Sequence, residues 1–141
     1  MNYVKQLYRK IKYKITYWLI KRKLRKNINS GKVFLVSDKH RGVGKTTMLV
    51  ELAKELNLPI IVGSTRDADR INWEYAKVFS SSCSYKKIAY PCNVQSFIGS
   101  NYFRNGVLVD ETISYEQIKT LWSNCFPIKT GFCYDLMFEK L

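Results

Sequence analysis

The sequence predicts an α/β fold with three layers, in which a parallel sheet of four to five strands carries helices on both faces. Three observations predict it. Short unbroken apolar runs at 33–36, 59–63 and 106–109 have the character of strands buried on both faces. Between them lie segments whose apolar residues recur every three to four positions, the period of a helix. Strands and helices that alternate in this way are joined by crossovers, which makes neighbouring strands parallel. The chain divides into a basic amphipathic helix within residues 1–30 and one α/β domain over 31–141.

Composition sets the outer bounds. With 141 residues, 46% of them hydrophobic and 14% aromatic, the chain can bury one core. The net charge of +13 favours nucleic acid, anionic lipid or an acidic protein as partner. Cys83, Cys92, Cys125 and Cys133 show no C-x-x-C spacing and are joined by a single histidine, His40, which argues against a zinc site. Free thiols in a reducing compartment, the cytoplasm, are the expectation.

The leader is dominated by charge. Lys5, Arg9, Lys10, Lys12, Lys14, Lys21, Arg22, Lys23, Arg25 and Lys26 are all basic, and no acid precedes Asp38. Among them Val4, Leu7, Tyr8, Ile11, Ile15, Trp18 and Leu19 recur at helical steps and predict an amphipathic helix, which Asn29, Ser30 and Gly31 would end. Its longest uncharged run, 15–20, falls far short of the ~20 residues of a transmembrane span. It also lacks the long apolar centre and small-residue cleavage site of a signal peptide. Three uses fit such a segment. The apolar face packs on the domain or on another copy of the chain; the cations bind a nucleic-acid backbone; or the helix lies in a membrane surface with Trp18 and the tyrosines at headgroup depth.

The next unit carries the chemistry. The strand at 33–36 runs into a polar loop with Gly42 and Gly44, and Lys45, Thr46 and Thr47 open a helix with Met48, Leu49, Leu52, Ala53 and Leu56 on one side. Strand, glycine loop and helix is the setting in which a loop can cradle phosphate. The glycines let the backbone turn and approach an anion closely. Amides from Val43 to Thr47 would point at it, reinforced by the helix N-terminus. Lys45 would neutralise the β- and γ-phosphates, and the Thr46 hydroxyl would hold Mg²⁺. Arg41, Gly42, Val43, Gly44, Lys45, Thr46 and Thr47 form the candidate nucleotide-binding set.

Asn57, Leu58 and Pro59 end that helix, and the strand at 59–63 follows. Asp67 is the expected N-cap of a helix that turns Ala68, Ile71, Tyr75, Val78 and Phe79 inward and stops at 80–82. A weaker strand at 87–90 and a short helix at 93–98 come next. Gly106, Val107, Leu108 and Val109 lead to Asp110 and Glu111, placing two carboxylates at the end of a strand, where ligands of parallel sheets bind. A helix at 113–124, with Ile118, Leu121 and Trp122 inward, and a strand at 128–134 complete the reading.

Gly44-Lys45-Thr46 in this setting resembles the Walker A motif of P-loop NTPases, with Lys39 where the pattern G-x-x-x-x-G-K-[ST] has its first glycine. The apolar run ending in Asp110-Glu111, with Asp110 lying 65 residues after Lys45, resembles a Walker B motif with an adjoining glutamate. The resemblance implies a core of the additional-strand, catalytic-glutamate branch, which holds helicases, RecA-type proteins, AAA+ proteins and viral packaging ATPases. It implies ATP and Mg²⁺ as ligands, Thr46 and Asp110 toward the metal, and Lys45 and Glu111 as the catalytic pair, with Glu111 polarising the attacking water. Residues 61–66 with Ala68 and Ile71 are similar to the strand and helix after Walker A in superfamily 1 helicases and terminases. Residues 93–99 are similar to the segment before Asp-Glu in viral superfamily 1 helicases. Those helicases use a second RecA-like domain to bring arginines to the nucleotide, and nothing after residue 135 matches it. A neighbouring copy in a homo-oligomer, or a partner subunit, would complete the site, with Arg66, Arg70 and Arg104 as candidates. The expectation is a cytoplasmic ATPase working on or near nucleic acid. The alternatives are a nucleotide- or nucleic-acid-binding module without turnover, and a membrane-surface protein held by the basic helix.

Overall fold

The computed structural model describes residues 2–28, 34–35, 44–79 and 87–133. Within them five strands form an all-parallel sheet. These are β1 (Phe34–Leu35), β2 (Ile60–Val62), β3 (Ala89–Pro91), β4 (Val107–Val109) and β5 (Ile128–Cys133), in the order β1-β5-β4-β2-β3. Six helices accompany them: α1 (Asn2–Asn27), α2 (Lys45–Leu56), α3 (Thr65–Phe79), α4 (Val94–Phe97), α5 (Asn101–Arg104) and α6 (Tyr115–Ser123).

The two-residue period of a strand sorts the core into two layers. Ile60, Val62, Leu108 and Phe132 pack with α1, α2 and α3 on one face of the sheet. Ile61, Val107, Val109, Ile128 and Cys133 pack with α4, α5 and α6 on the other. The second layer contains a stacked pair, Phe97 and Phe103, with centroids 4.1 Å apart, and Phe126 set edge-on to Phe97. Strand β5 approaches β4 so closely that a Cβ on Gly131 would lie 2.2 Å from the Val109 carbonyl oxygen, so only glycine fits there.

Local chemistry explains most element ends. Helix α2 stops at Asn57, which adopts the left-handed conformation and caps back to the Ala53 carbonyl before Pro59. Helix α6 begins with a capping box: the Ser114 hydroxyl accepts from the Gln117 amide, and the Gln117 side chain accepts from the Ser114 amide. Asn72, buried in α3, makes three hydrogen bonds to the backbone at edge strand β3. Its Oδ1 accepts from the Ile88 and Ala89 amides, both at 2.8 Å, and its Nδ2 donates to the Ala89 carbonyl at 2.9 Å.

Several expectations are corrected. Helix α3 starts at Thr65, and its cap is Ser64 rather than Asp67. The Ser64 oxygen accepts from the Asp67 amide at 3.3 Å, and its hydroxyl donates to the Asp67 carboxylate. Trp122 is 41% exposed, because Ile118 and Leu121 occupy the inward side of α6. The short helix α5 is absent from the sequence reading. Val78 and Phe79 lie outside the described side chains, and residues 29–31 outside the described residues.

The largest correction concerns α1. Val4, Leu7, Tyr8, Ile11, Ile15, Trp18 and Leu19, the stripe expected to pack if the helix packs at all, are all exposed. The helix docks instead through Tyr17, Ile20 and Leu24, which join the layer formed by α2 and α3. At 3.6 residues per turn, Tyr13, Tyr17, Ile20 and Leu24 fall on roughly the opposite side of the helix from the stripe. Polar pairs accompany that docking. Lys21 pairs with Glu51 of α2, and one nitrogen of Arg25 lies 2.9 Å from both carboxylate oxygens of Glu55. Both pairs are spaced one helical turn apart, so the two helices match along their length.

Candidate active site

In a parallel sheet every strand ends at the same edge, and Gly44, Lys45, Thr46, Thr47 and Glu111 meet at that edge. β1 runs toward the loop before α2, and β4 ends immediately before Asp110. One strand, β5, stands between them. Gly44 precedes α2 in the left-handed conformation, φ +80°, and the Met48 amide donates to its carbonyl at 3.0 Å. An added Cβ would also come within 2.6 Å of the Tyr13 hydroxyl and 3.1 Å of the Tyr17 ring, so these side chains would have to shift.

Lys45 is the first residue of α2. Its side chain is 10% exposed, and its Nζ lies 3.5 Å from Glu111 Oε2. Gly44, Lys45, Thr46, Thr47 and Glu111 line one open recess of about 210 Å³. The first turn of α2 points its amide groups to this end, which gives the recess a partial positive charge in addition to the ammonium.

Asp110 is almost fully buried. Its backbone amide extends the ladder by donating to the Ile61 carbonyl at 3.1 Å, and its carboxylate accepts from the Thr112 amide at 3.4 Å. Burial pushes the carboxyl above the usual carboxylate range; the Thr112 amide opposes this, and the neighbouring Glu111 charge adds to it. A buried carboxylate with such long hydrogen bonding gains from a nearby cation. The Asp110 carboxylate and the Thr46 hydroxyl are hard oxygen donors of the kind Mg²⁺ takes when phosphates and waters supply its other ligands. No cluster of three or more His, Cys, Asp or Glu suited to a metal occurs among the described residues.

The loop bearing Glu111 is fixed from the side. The Thr112 hydroxyl accepts from the Gly63 amide at 3.0 Å, and Gln117 Nε2 donates to the Gly63 carbonyl at 3.1 Å. These contacts clip the chain after β2 to the chain after β4, just beyond the last ladder bonds. The S-x-x-Q pattern at 114–117 was available in the sequence as a capping signal, but its second use on Gly63 was not.

The structure thus brings together Gly44, Lys45, Thr46, Thr47 and Glu111, with Asp110 adjacent in the chain. Arg41, Gly42 and Val43 lie outside the described residues. Among the arginine candidates, Arg70 lies 3.9 Å from Asp67 and Arg104 lies over the Phe126 ring at 5.6 Å. Of the ten leader cations, Lys21 and Arg25 are engaged by α2. Tyr13 and Tyr17, which abut Gly44, were missed. Their signal was a second apolar line at 13, 17, 20 and 24, eclipsed by the longer stripe. Compared with known proteins, the chain matches no family model, no curated protein and no solved structure.

Proposed function

We propose that the chain binds Mg²⁺-ATP at the recess between α2 and Glu111 and hydrolyses it, as the resemblance to P-loop NTPases implies. The observation that carries the reading is the 3.5 Å approach of Lys45 to Glu111 across a recess lined by Gly44, Thr46 and Thr47. The separation of β1 and β4 by β5 supports the additional-strand branch.

In this reading Lys45 and the first amides of α2 bind the β- and γ-phosphates, and Thr46 and Asp110 hold the cation. The bound Mg²⁺ supplies charge neutralisation on the phosphate oxygens. Triphosphate competes with Glu111 for the Lys45 ammonium, and the released carboxylate can then accept a proton from the attacking water. The same ion pair favours a second reading. A Glu111 that stays on Lys45 leaves a nucleotide-binding module without turnover.

Lys45→Ala is expected to abolish ATP binding measured by calorimetry; equal affinity in both proteins would sink the phosphate-loop assignment. Glu111→Gln is expected to retain ATP and lose turnover by roughly 10²-fold or more, the scale of general-base catalysis. Wild-type protein that binds ATP with no phosphate release, with DNA, RNA or neither, establishes the second reading.

A further inference from the structure

We propose that the exposed stripe of α1 docks on an anionic phospholipid surface. Residues 2–15 are exposed throughout, a length of about 21 Å at 1.5 Å per residue. Val4, Leu7, Tyr8, Ile11, Ile15 and Trp18 form a line along one side, and each is between 46% and 68% exposed. A helical projection places Lys5 and Lys12 along one border of that line and Lys10 and Lys14 along the other. Apolar centre with lysine borders is the form of a helix lying in a lipid interface, its stems buried and its ammonium groups among the headgroups. The line ends at Trp18, whose ring carries Arg22 at 5.3 Å. Beside it, Trp18, Lys21, Arg22 and Arg25 line an open recess of about 430 Å³, in which Lys21 and Arg25 are paired with Glu51 and Glu55 while Arg22 lies over the Trp18 ring.

Charge decides between occupants. The helix has ten cations and no acid. A second copy paired along this stripe would set lysine borders against lysine borders, the repulsive arrangement for facing helices. Nucleic acid would satisfy the cations and leave the apolar line in water. An anionic lipid surface satisfies both. The side that docks on the domain, Tyr17, Ile20 and Leu24, is turned away from the stripe, so lipid binding needs no undocking. No helix among the described residues is long and apolar enough to cross a membrane, so the contact is with the surface.

The test is co-sedimentation of the full chain with vesicles of phosphatidylcholine mixed with phosphatidylglycerol, against phosphatidylcholine alone. Binding is expected to the mixed vesicles and to fall at least about tenfold in the Ile11→Ser, Ile15→Ser double variant. Circular dichroism and ATP binding should be unchanged in that variant, since both positions are exposed. Lys5→Gln with Lys12→Gln should weaken binding by about fivefold per charge. Lys45→Ala should bind vesicles like wild type, so failure of the nucleotide reading leaves this one intact. Three results overturn the proposal: equal vesicle binding by wild type and the isoleucine variant; affinity for duplex or single-stranded polynucleotide above that for vesicles and indifferent to the isoleucines; or a dimer in sedimentation velocity that the isoleucine variant dissolves.

Discussion

The two halves of α1 share a composition and differ in fate. Residues 2–15 carry lysines and aliphatic side chains and are all exposed, although Tyr13 reaches Gly44; residues 16–28 carry the same kinds of side chain and are held on α2. The difference is not in the helix but in what faces it. Opposite the second half stand Glu51 and Glu55, two of the chain's 11 acids, at the spacing of Lys21 and Arg25. Apolar side chains bring a helix to a core without choosing which side turns in. Here Tyr17, Ile20 and Leu24 turn in, matched charges flank them, and the richer apolar side is left free.

The sharpest way to break this contrast is truncation of one anchor from each half. Leu24→Ala, at a fully buried site, is expected to cost about 2–5 kcal/mol in urea denaturation. Ile11→Ala, at a site 51% exposed, should stay within about 0.5 kcal/mol. Comparable losses would mean the free half packs in solution.

Acid probes the charge pairing. Burial raises the Glu51 carboxyl, but the Lys21 hydrogen bond, the nearby Tyr17 hydroxyl and the charges of Lys21 and Arg25 outweigh it, so its pKa lies below the ordinary 4.5. A depressed folded pKa gives stability that is fully present above 4.5 and is lost as pH falls through the lower folded value. Protection of the amides in residues 16–28, measured against their intrinsic exchange rates at each pH, should therefore fall as the pH drops below 4.5, while that of residues 2–15 changes little. In Glu51→Gln that loss of protection should be largely absent. The Tyr17 hydroxyl is buried beside this carboxylate without a hydrogen bond of normal geometry, and burial, followed by Glu51, pushes its ionisation above the ordinary phenol value.

The smallest effect belongs to the outer pair. Arg25 and Glu55 are each about half exposed, so Glu55→Gln should cost no more than about 1 kcal/mol, and less at high salt. A larger loss would show that the outer pair, rather than Leu24, sets the docking.

The sheet was legible because its strands are unbroken apolar runs. Ile60-Ile61-Val62 and Val107-Leu108-Val109 have little choice but to be buried on both faces. The site was legible to the extent that it is local: Gly44-Lys45-Thr46 is one turn, and Asp110-Glu111 is one strand end. What sequence patterns could not give was anything decided by a distant partner. Lys45 meeting Glu111, Tyr13 and Tyr17 abutting Gly44, and Gln117 reaching Gly63 all depend on how remote segments are placed. Trp122 and the α1 stripe failed for a shared reason. Helical period identifies an apolar side, but two candidate sides on one helix are resolved only by the surface they meet.

Strand β5 sits in the middle of the sheet but comes late in the chain, and this gives the site a schedule. β1 is made early, and among the described residues its one strand partner is β5. Until Ile128–Cys133 has been synthesised, β1 lacks the strand it pairs with. Joining segments so far apart in sequence is the slow kind of closure. A growing chain halted before Ile128 would already contain Lys45, Asp110 and Glu111, yet lack the slat that sets β1 and β4 two places apart. On the proposed nucleotide reading, competence would then come in one late event, and a nascent chain would not bind ATP until nearly all of its described fold exists.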